Sequence, residues 1–425
     1  MKKLRFSWLL GLAAGVALSA TTALAGTPNL KHSIVLDNLE DPWDMAFLGD
    51  GTMFYTEKCK GLSVRLPSGE TKALLGMGGV SGYATSAGDL FCEGQAGMMG
   101  VAVDPNFDKN RRIYVYSTSN KVTPHTNRLM RMVVSDDFSS VSQRTDIVDD
   151  VQYKMAASDH PFGGPGAHNG GRVRFNPSDG YLYLTTGDTH NGVVPQSATL
   201  IGSKVLRMDS DGNAAAGNNP PAGFDKRTYT YGHRNPQGIA FNPSTGEAIT
   251  AEHGPWHSDE LTVLKNGGNG GWDPRPNVNG RGACPDNYCG YTPNQHDGVN
   301  RFQRAASMSM TDFKAYPNAM APIWNNNGWS QGTSSIAFIK GDAWDGLNGA
   351  IVLGVMGINF GGTPFGQRIE VIKLNDEGTD IAAAHELALP DGMEPGRFRS
   401  VVMGPDGSLY AAIDEGRIYK ITPSK

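Results

Sequence analysis

His168 and Asp188 stand at the two ends of the stretch "HNGGRVRFNPSDGYLYLTTGD" (168–188). An imidazole accepts a proton readily near neutral pH. A carboxylate on its other ring nitrogen would fix its tautomer, so the two residues could be a general base and its orienting partner. A solvated loop histidine and a turn aspartate would read the same way. Arg234 and Asn235, in "YGHRNPQG" (231–238), offer donors suited to a developing oxyanion or a carboxylate, or else a turn cap with a structural salt bridge. Arg397 and Arg399 are two positions apart, so on a strand both face one side. Such a pair is either surface charge or the seat of an anion with several carboxylates or phosphates. The carbonyls of Gly254 and Pro255 would suit a hard cation, and Asp259 or Glu260 could support calcium. Trp256, Trp324 and Trp329 could line a sugar site or simply pack.

The elements that must position these residues appear as a repeat. One phrase, a small-apolar segment followed by an Asn/Asp/Pro/Gly turn and a β-rich segment, recurs six times. The copies span 43–57, 100–118, 171–188, 238–254, 334–357 and 399–421. Each reads as strand, tight turn, strand. Six such hairpins predict an all-β chain folded as a six-bladed β-propeller with long loops on the active-site face. "HSIVL" (32–36) is expected to pair beside the last blade and close the ring. A β-sandwich would not require six recurrences of one phrase. The long insertion 255–333, rich in Asn, Gly and Pro, is expected to hold little regular structure. In a propeller the loops entering the innermost strands converge at one mouth of the channel. "EGQAGMM" (93–99, with Gln95), "HNGGR" (168–172), "YGHRNPQG" and "GRFRS" (396–400) all stand just before a repeat.

Composition bounds the rest. Residues 1–25 have a basic start, an apolar run from Phe6 to about Leu18 and Ala23-Leu24-Ala25 at the end, the layout of a secretory signal. The propeller domain would then be 26–425, with an insertion at about 275–333. A periplasmic or secreted location follows, with no membrane span. Losing Lys2, Lys3 and Arg5 takes the formal charge from −5 to −8, which argues against nucleic acid and anionic membranes as partners. Fifty-five glycines, 25 prolines and 19% charged residues suit short strands and turns better than long helices. Cys59, Cys92, Cys284 and Cys289 form an even set in an exported chain. A local Cys284–Cys289 bridge would leave Cys59–Cys92, although four cysteines allow three connectivities.

Taken together, the phrases resemble the soluble quinoprotein sugar dehydrogenases of the glucose/sorbosone dehydrogenase family. "HNGGRVRF" with "TTGD", "GHRNPQGIAFNP", "AEHGPWHSDEL" and "RFRSVVMGPDGSLY" occur in the family's order, and the likeness runs from about residue 32 to 422. The resemblance implies pyrroloquinoline quinone and calcium as cofactors, and oxidation of the anomeric hydroxyl of aldoses to lactones. It implies a quinone, a cytochrome or another electron acceptor as partner. By the same likeness His168 takes the hydroxyl proton, Asp188 orients it, and Arg234 stabilises charge on the quinone oxygen. Gln95, Asn235 and Gln237 would contact cofactor or substrate, and Arg397 and Arg399 would pair with the cofactor's carboxylates. Gly254 and Pro255 would bind calcium through their carbonyls, and Glu260 would ligate a second, structural calcium. Two departures stand out: Gly357 lies where the family often carries a cofactor-binding lysine, and Ala167 precedes the histidine where an acidic residue can occur. The other readings are a carbohydrate- or protein-binding propeller that has lost its cofactor, and a calcium-dependent propeller lactonase.

Overall fold

A computed structural model describes residues 27–156, 164–255, 257–275, 309–358 and 366–424. The expected signal segment 1–25, Cys284, Cys289, Trp256 and most of the insertion lie outside the described residues. Six antiparallel sheets follow one another along the chain, and each of the six sequence repeats supplies the two innermost strands of one sheet. The innermost strands are Pro42–Phe47, Met98–Val103, Gly170–Phe175, Pro236–Phe241, Thr333–Phe338 and Phe398–Met403, which define blades 1 to 6. The N-terminal strand Leu30–Leu36 pairs antiparallel with Arg417–Pro423 and forms the outer edge of blade 6. The first and last strands of the chain thus share one sheet, as "HSIVL" predicted.

The inner hairpins are specified locally. In blades 2, 3 and 4 an Asp or Asn opens the turn, and its side-chain oxygen accepts the N–H two residues on: Asp104 from Asn106, Asn176 from Ser178, Asn242 from Ser244. In blades 3 and 4 the turn closes on Gly180 and Gly246, at φ of 74° and 78°, where a side chain would be strained. Apolar residues of neighbouring blades then interlock. Phe54, Leu62 and Val64 of blade 1, for example, pack with Val101, Ile113 and Val115 of blade 2.

The stretch after residue 255 holds more regular structure than expected. Glu260–Val263 is the third strand of blade 4, Trp324–Asn325 is its outer strand, and Gly268–Asn269 adds a short parallel strand to blade 3. Its Asn and Gly content hid strands of two to four residues, too short to show an alternating pattern.

Two features shape the channel. Each innermost strand shifts register against its neighbour near its start: between Pro42 and Asp44, Met98 and Val101, Gly170 and Val173, Pro236 and Gly238, Thr333 and Ile336, and Phe398 and Ser400. Bulges of this kind bend a strand and re-aim its side chains. The second feature is a buried ion pair. Asp44 of blade 1 lies 2.6 Å from Arg172 of blade 3, and both side chains are almost fully buried. Arg174 forks onto the same carboxylate at 2.7 Å, while Val101 N–H of blade 2 and the Ser400 hydroxyl of blade 6 donate to it. Arg172 donates onward to the carbonyls of Gln237 in blade 4 and Arg399 in blade 6, and its guanidinium lies 4.3 Å from the ring centroid of Trp43. Five blades meet through this one pair. Burial alone would push the Asp44 carboxyl up, but Arg172 and Arg174 hold it below its usual range.

Removing one member of a buried pair strands the other's charge, at a cost of about 3–5 kcal/mol. Asp44→Ala should therefore lower the denaturant midpoint sharply, and an unchanged midpoint would contradict this role.

Candidate active site

The loop into blade 3 carries His168 in the left-handed backbone region, at φ 56°. That loop closes tightly against the end of the same hairpin. A Cβ at Gly187 would stand 2.1 Å from the His168 carbonyl oxygen, so only glycine fits there. The next residue is Asp188, whose backbone N–H donates to the Arg234 carbonyl at 2.9 Å. His168 Nδ1 lies 2.8 Å from Asp188 Oδ1. The histidine is only 6% exposed and the aspartate fully buried, which rules out the solvated loop pair. The other carboxylate oxygen accepts the Trp272 indole N–H at 2.8 Å, and Oδ1 also accepts the His190 backbone N–H at 2.9 Å. On its far side, His168 Nε2 is 2.7 Å from His190 Nε2.

Burial disfavours charge on both members of the pair. It lowers the His168 pKa well below its ordinary value, helped by His190 and Arg234, and it pushes Asp188 up to about 7. With Asp188 ionised, His168 is neutral with its proton on Nδ1, and Nε2 is the basic lone pair. With Asp188 protonated, the carboxyl donates to Nδ1 and that basic form is lost. The base thus switches on as pH rises through about 7.

Blade 4 supplies the second group. The buried Glu252 carboxylate gathers the "HRN" turn, accepting from the backbone N–H groups of Arg234 and Asn235 and from His233 Nδ1. Asn235 then presents its side-chain oxygen to Gly170 N–H at 3.0 Å, tying this turn to the histidine loop. Arg234 is buried against the Trp272 ring, 5.9 Å from its centroid, and donates to the His253 carbonyl at 2.9 Å. Blade 6 supplies the third group. Arg397 and Arg399 share the single carboxylate of Asp414, at 3.1 and 2.8 Å. Asp414 alone balances one of the two charges, while the Asp41 and Glu415 carboxylates act on Arg399 as well. Arg399 also donates to the Gln237 side-chain oxygen at 3.1 Å, joining blade 6 to blade 4. Arg397 reaches the carbonyls of Met356 and Gly357, so the glycine at the lysine position borders this cation cluster. His253 lies within the field of Arg234, Arg399 and Arg397, and its Nε2 is buried with no hydrogen-bond partner among the described residues. A buried polar atom of this kind and a cluster of guanidinium groups fit a polar, polyanionic occupant.

Eight of the expected residues thus converge. His168, Asp188, Arg234, Asn235, Gln237, Arg397 and Arg399 are linked by contacts, and Gly254 follows His253 directly. Gln95 is exposed on the loop into blade 2, and its backbone N–H donates to the Pro165 carbonyl, close to the histidine loop. Glu260 is buried below the turn, accepting from Thr311 and Asn325, and burial pushes it up to about 8. Asp259 is committed to the loop, where it accepts from the backbone N–H groups of Gly254 and Gln331 and from Ser330. Among the described residues no three His, Cys, Asp or Glu side chains converge as a metal cage, so a cation at Gly254 and Pro255 would rest on carbonyls. Trp324 is core, and Trp329 is about half exposed. Cys59 and Cys92 form a disulfide, one of the pairings left open by the sequence. Trp272, His190, Glu252, His253 and Asp414 were missed.

Comparison with known proteins gives the family and the fold. The family described as Glucose / Sorbosone dehydrogenase matches residues 39–420. The aldose sugar dehydrogenase YliI of Escherichia coli K12 is 26% identical over 411 residues, covering 95% of each chain. The quinoprotein glucose dehydrogenase B of Acinetobacter calcoaceticus is 28% identical over 285 residues, covering 61% of this chain and 55% of that one. The solved PQQ-bound form of the aldose sugar dehydrogenase of Streptomyces coelicolor shares the fold, with a TM-score of 0.65 at 23% identity, over 94% of this chain and 99% of that one.

The raised Asp188 pKa has a thermodynamic consequence. The folded protein holds that proton to higher pH than the unfolded chain does, so its contribution to stability is fully present below about 4 and lost as pH climbs through about 7. Unfolding midpoints of the parent and Asp188→Asn, followed across that window, should shift steadily in the variant's favour with rising pH. A difference that stays constant would contradict the assignment.

Proposed function

We propose an activity from the premise that this chain belongs to the glucose/sorbosone dehydrogenase family: it is an exported quinoprotein that oxidises the anomeric hydroxyl of aldose sugars to lactones. The observation that carries this reading is the buried His168–Asp188 pair set beside the cation cluster of Arg234, Arg397 and Arg399. His168 Nε2 takes the proton of the anomeric hydroxyl, with Asp188 holding Nδ1 so that the lone pair faces outward. Pyrroloquinoline quinone, when bound, supplies the electrophile that accepts the hydride from the anomeric carbon. Arg397 and Arg399 would pair with its carboxylates, Asn235 and Gln237 would supply polar contacts, and Arg234 would stabilise negative charge on the acceptor. Gln95 contributes from the rim.

Calcium would be held by the carbonyls of Gly254 and Pro255, and a second one by Glu260. A buried carboxyl pushed up to about 8 suits a site where a cation compensates its charge. Export agrees with the N-terminal segment and with the Cys59–Cys92 disulfide, a bond that persists in oxidising compartments. No helix among the described residues is long and apolar enough to cross a membrane. Gly357 favours a second reading, a sugar- or protein-binding propeller without cofactor.

Reconstitution separates the two. Apoprotein loaded with pyrroloquinoline quinone and calcium should reduce a dye with one or more aldoses. His168→Gln should keep the quinone's absorbance shift while turnover falls by about 10²–10⁴-fold, the range for a lost general base. No absorbance shift and no dye reduction would overturn the proposal in favour of the cofactor-free reading.

A further inference from the structure

A neutral imidazole has one ring nitrogen that carries a proton and one that offers a lone pair, and each makes one in-plane hydrogen bond. In His168, Nδ1 is committed to Asp188. That leaves Nε2 as the only atom that can receive a substrate proton, and Nε2 is already engaged by His190 Nε2 at 2.7 Å. With Asp188 ionised, the His168 proton sits on Nδ1, so His190 is the donor, and at 2.7 Å it covers the atom the reaction needs. The two rings meet edge to face, with centroids 3.7 Å apart, and His190 is itself only 7% exposed. Its backbone is pinned, because its N–H donates to Asp188 Oδ1 and both Thr189 and His190 adopt positive φ, 53° and 55°. With the backbone held, any displacement of the ring has to be carried by the side-chain torsions.

We propose that His190 is a positioning residue that caps the catalytic nitrogen of His168 and is displaced by the substrate's hydroxyl, so that it sets substrate affinity. This rests on His168 being the base. The hydroxyl exchanges one neutral N–H···N bond for its own O–H···N bond at the same atom, and the turned His190 ring then lines the pocket beside the reacting carbon. Sequence reasoning passed over His190 because nothing in "GDTHNG" distinguishes it from a turn residue.

The test uses the holoenzyme, loaded with quinone and calcium, and compares His190→Asn, His190→Gln and His168→Gln. Asparagine tolerates positive φ but is too short to reach His168 from that backbone. Its KM for the aldose should fall by about 3- to 10-fold, the size of one neutral hydrogen bond, with kcat changed less than KM. His190→Gln, whose longer amide can again donate to Nε2, should return KM toward the parent. A KM in His190→Asn that is unchanged or raised would overturn the inference. If His168→Gln is inactive while His190→Asn leaves KM unmoved, only the role of His190 falls. If His168→Gln keeps its turnover, the base assignment falls and takes this one with it. Should His190→Asn fail to fold, ¹⁵N-histidine spectra of the parent decide. Aldose should shift the Nε2 resonances of both His168 and His190, and a shift at one alone would overturn the inference.

Discussion

Asp44 and Arg172 meet at the centre of the ring, 2.6 Å apart and out of reach of water. Taking two charges out of water is expensive, and replacing such a pair with apolar residues often costs nothing. Here the pair does something apolar packing cannot do. Arg172 donates to the backbone carbonyls of Gln237 and Arg399. Those two residues lie within the bulges of blades 4 and 6, and their side chains bond to each other at the mouth. The same guanidinium that holds the blades in register therefore fixes the backbone from which two site residues project. Blade 5 joins the ring by a neutral route, through the Ser334 and Ser335 hydroxyls to the carbonyls of Phe398 and Val401. Arg172 had no evident role in the sequence; it is the hinge between fold and site.

Burial explains the chemistry at the mouth. Removing water from His168 and Asp188 makes charge costly on both, so His168 stays neutral and its Nε2 is basic only once Asp188 has given up its proton. The same dry surroundings strengthen whatever Arg234 and the Arg397–Arg399 pair attract. Asp414 keeps the two blade 6 arginines together but neutralises only one of them. Burial would raise its carboxyl, yet Arg399 and Arg397 hold it below the usual range.

Much of this was legible in sequence because it is local. The six hairpins show in turn residues and apolar alternation within about 20 residues of chain, so their number, order and closing strand follow. His168, Asp188, Arg234, Arg397 and Arg399 were visible because they sit directly before or after those repeats. Trp272 and Asp414 were not. Trp272 reaches Asp188 from a long loop with no repeat to mark it, and Asp414 stands at the far end of the final hairpin, where a carboxylate looks like any turn residue. Glu252 carries no mark in the sequence, and only the fold shows it bonded to the turn that carries Arg234. Of the short strands in the Asn- and Gly-rich region 255–333, Gly268–Asn269 and Trp324–Asn325 were hidden for a related reason: their partners are distant in sequence.

The central claim is that His168 removes a proton from the anomeric hydroxyl while the anomeric carbon gives up its hydrogen to a bound quinone. Single-turnover reduction of the reconstituted holoenzyme, followed by the quinone's absorbance, tests it most directly when an aldose is compared with the same aldose deuterated at C1. The account predicts a clearly slower reduction with the deuterated sugar, and a rate that rises with pH through about 7, where Asp188 ionises. Equal rates for the two sugars at every pH, or reduction indifferent to pH across that range, would contradict it.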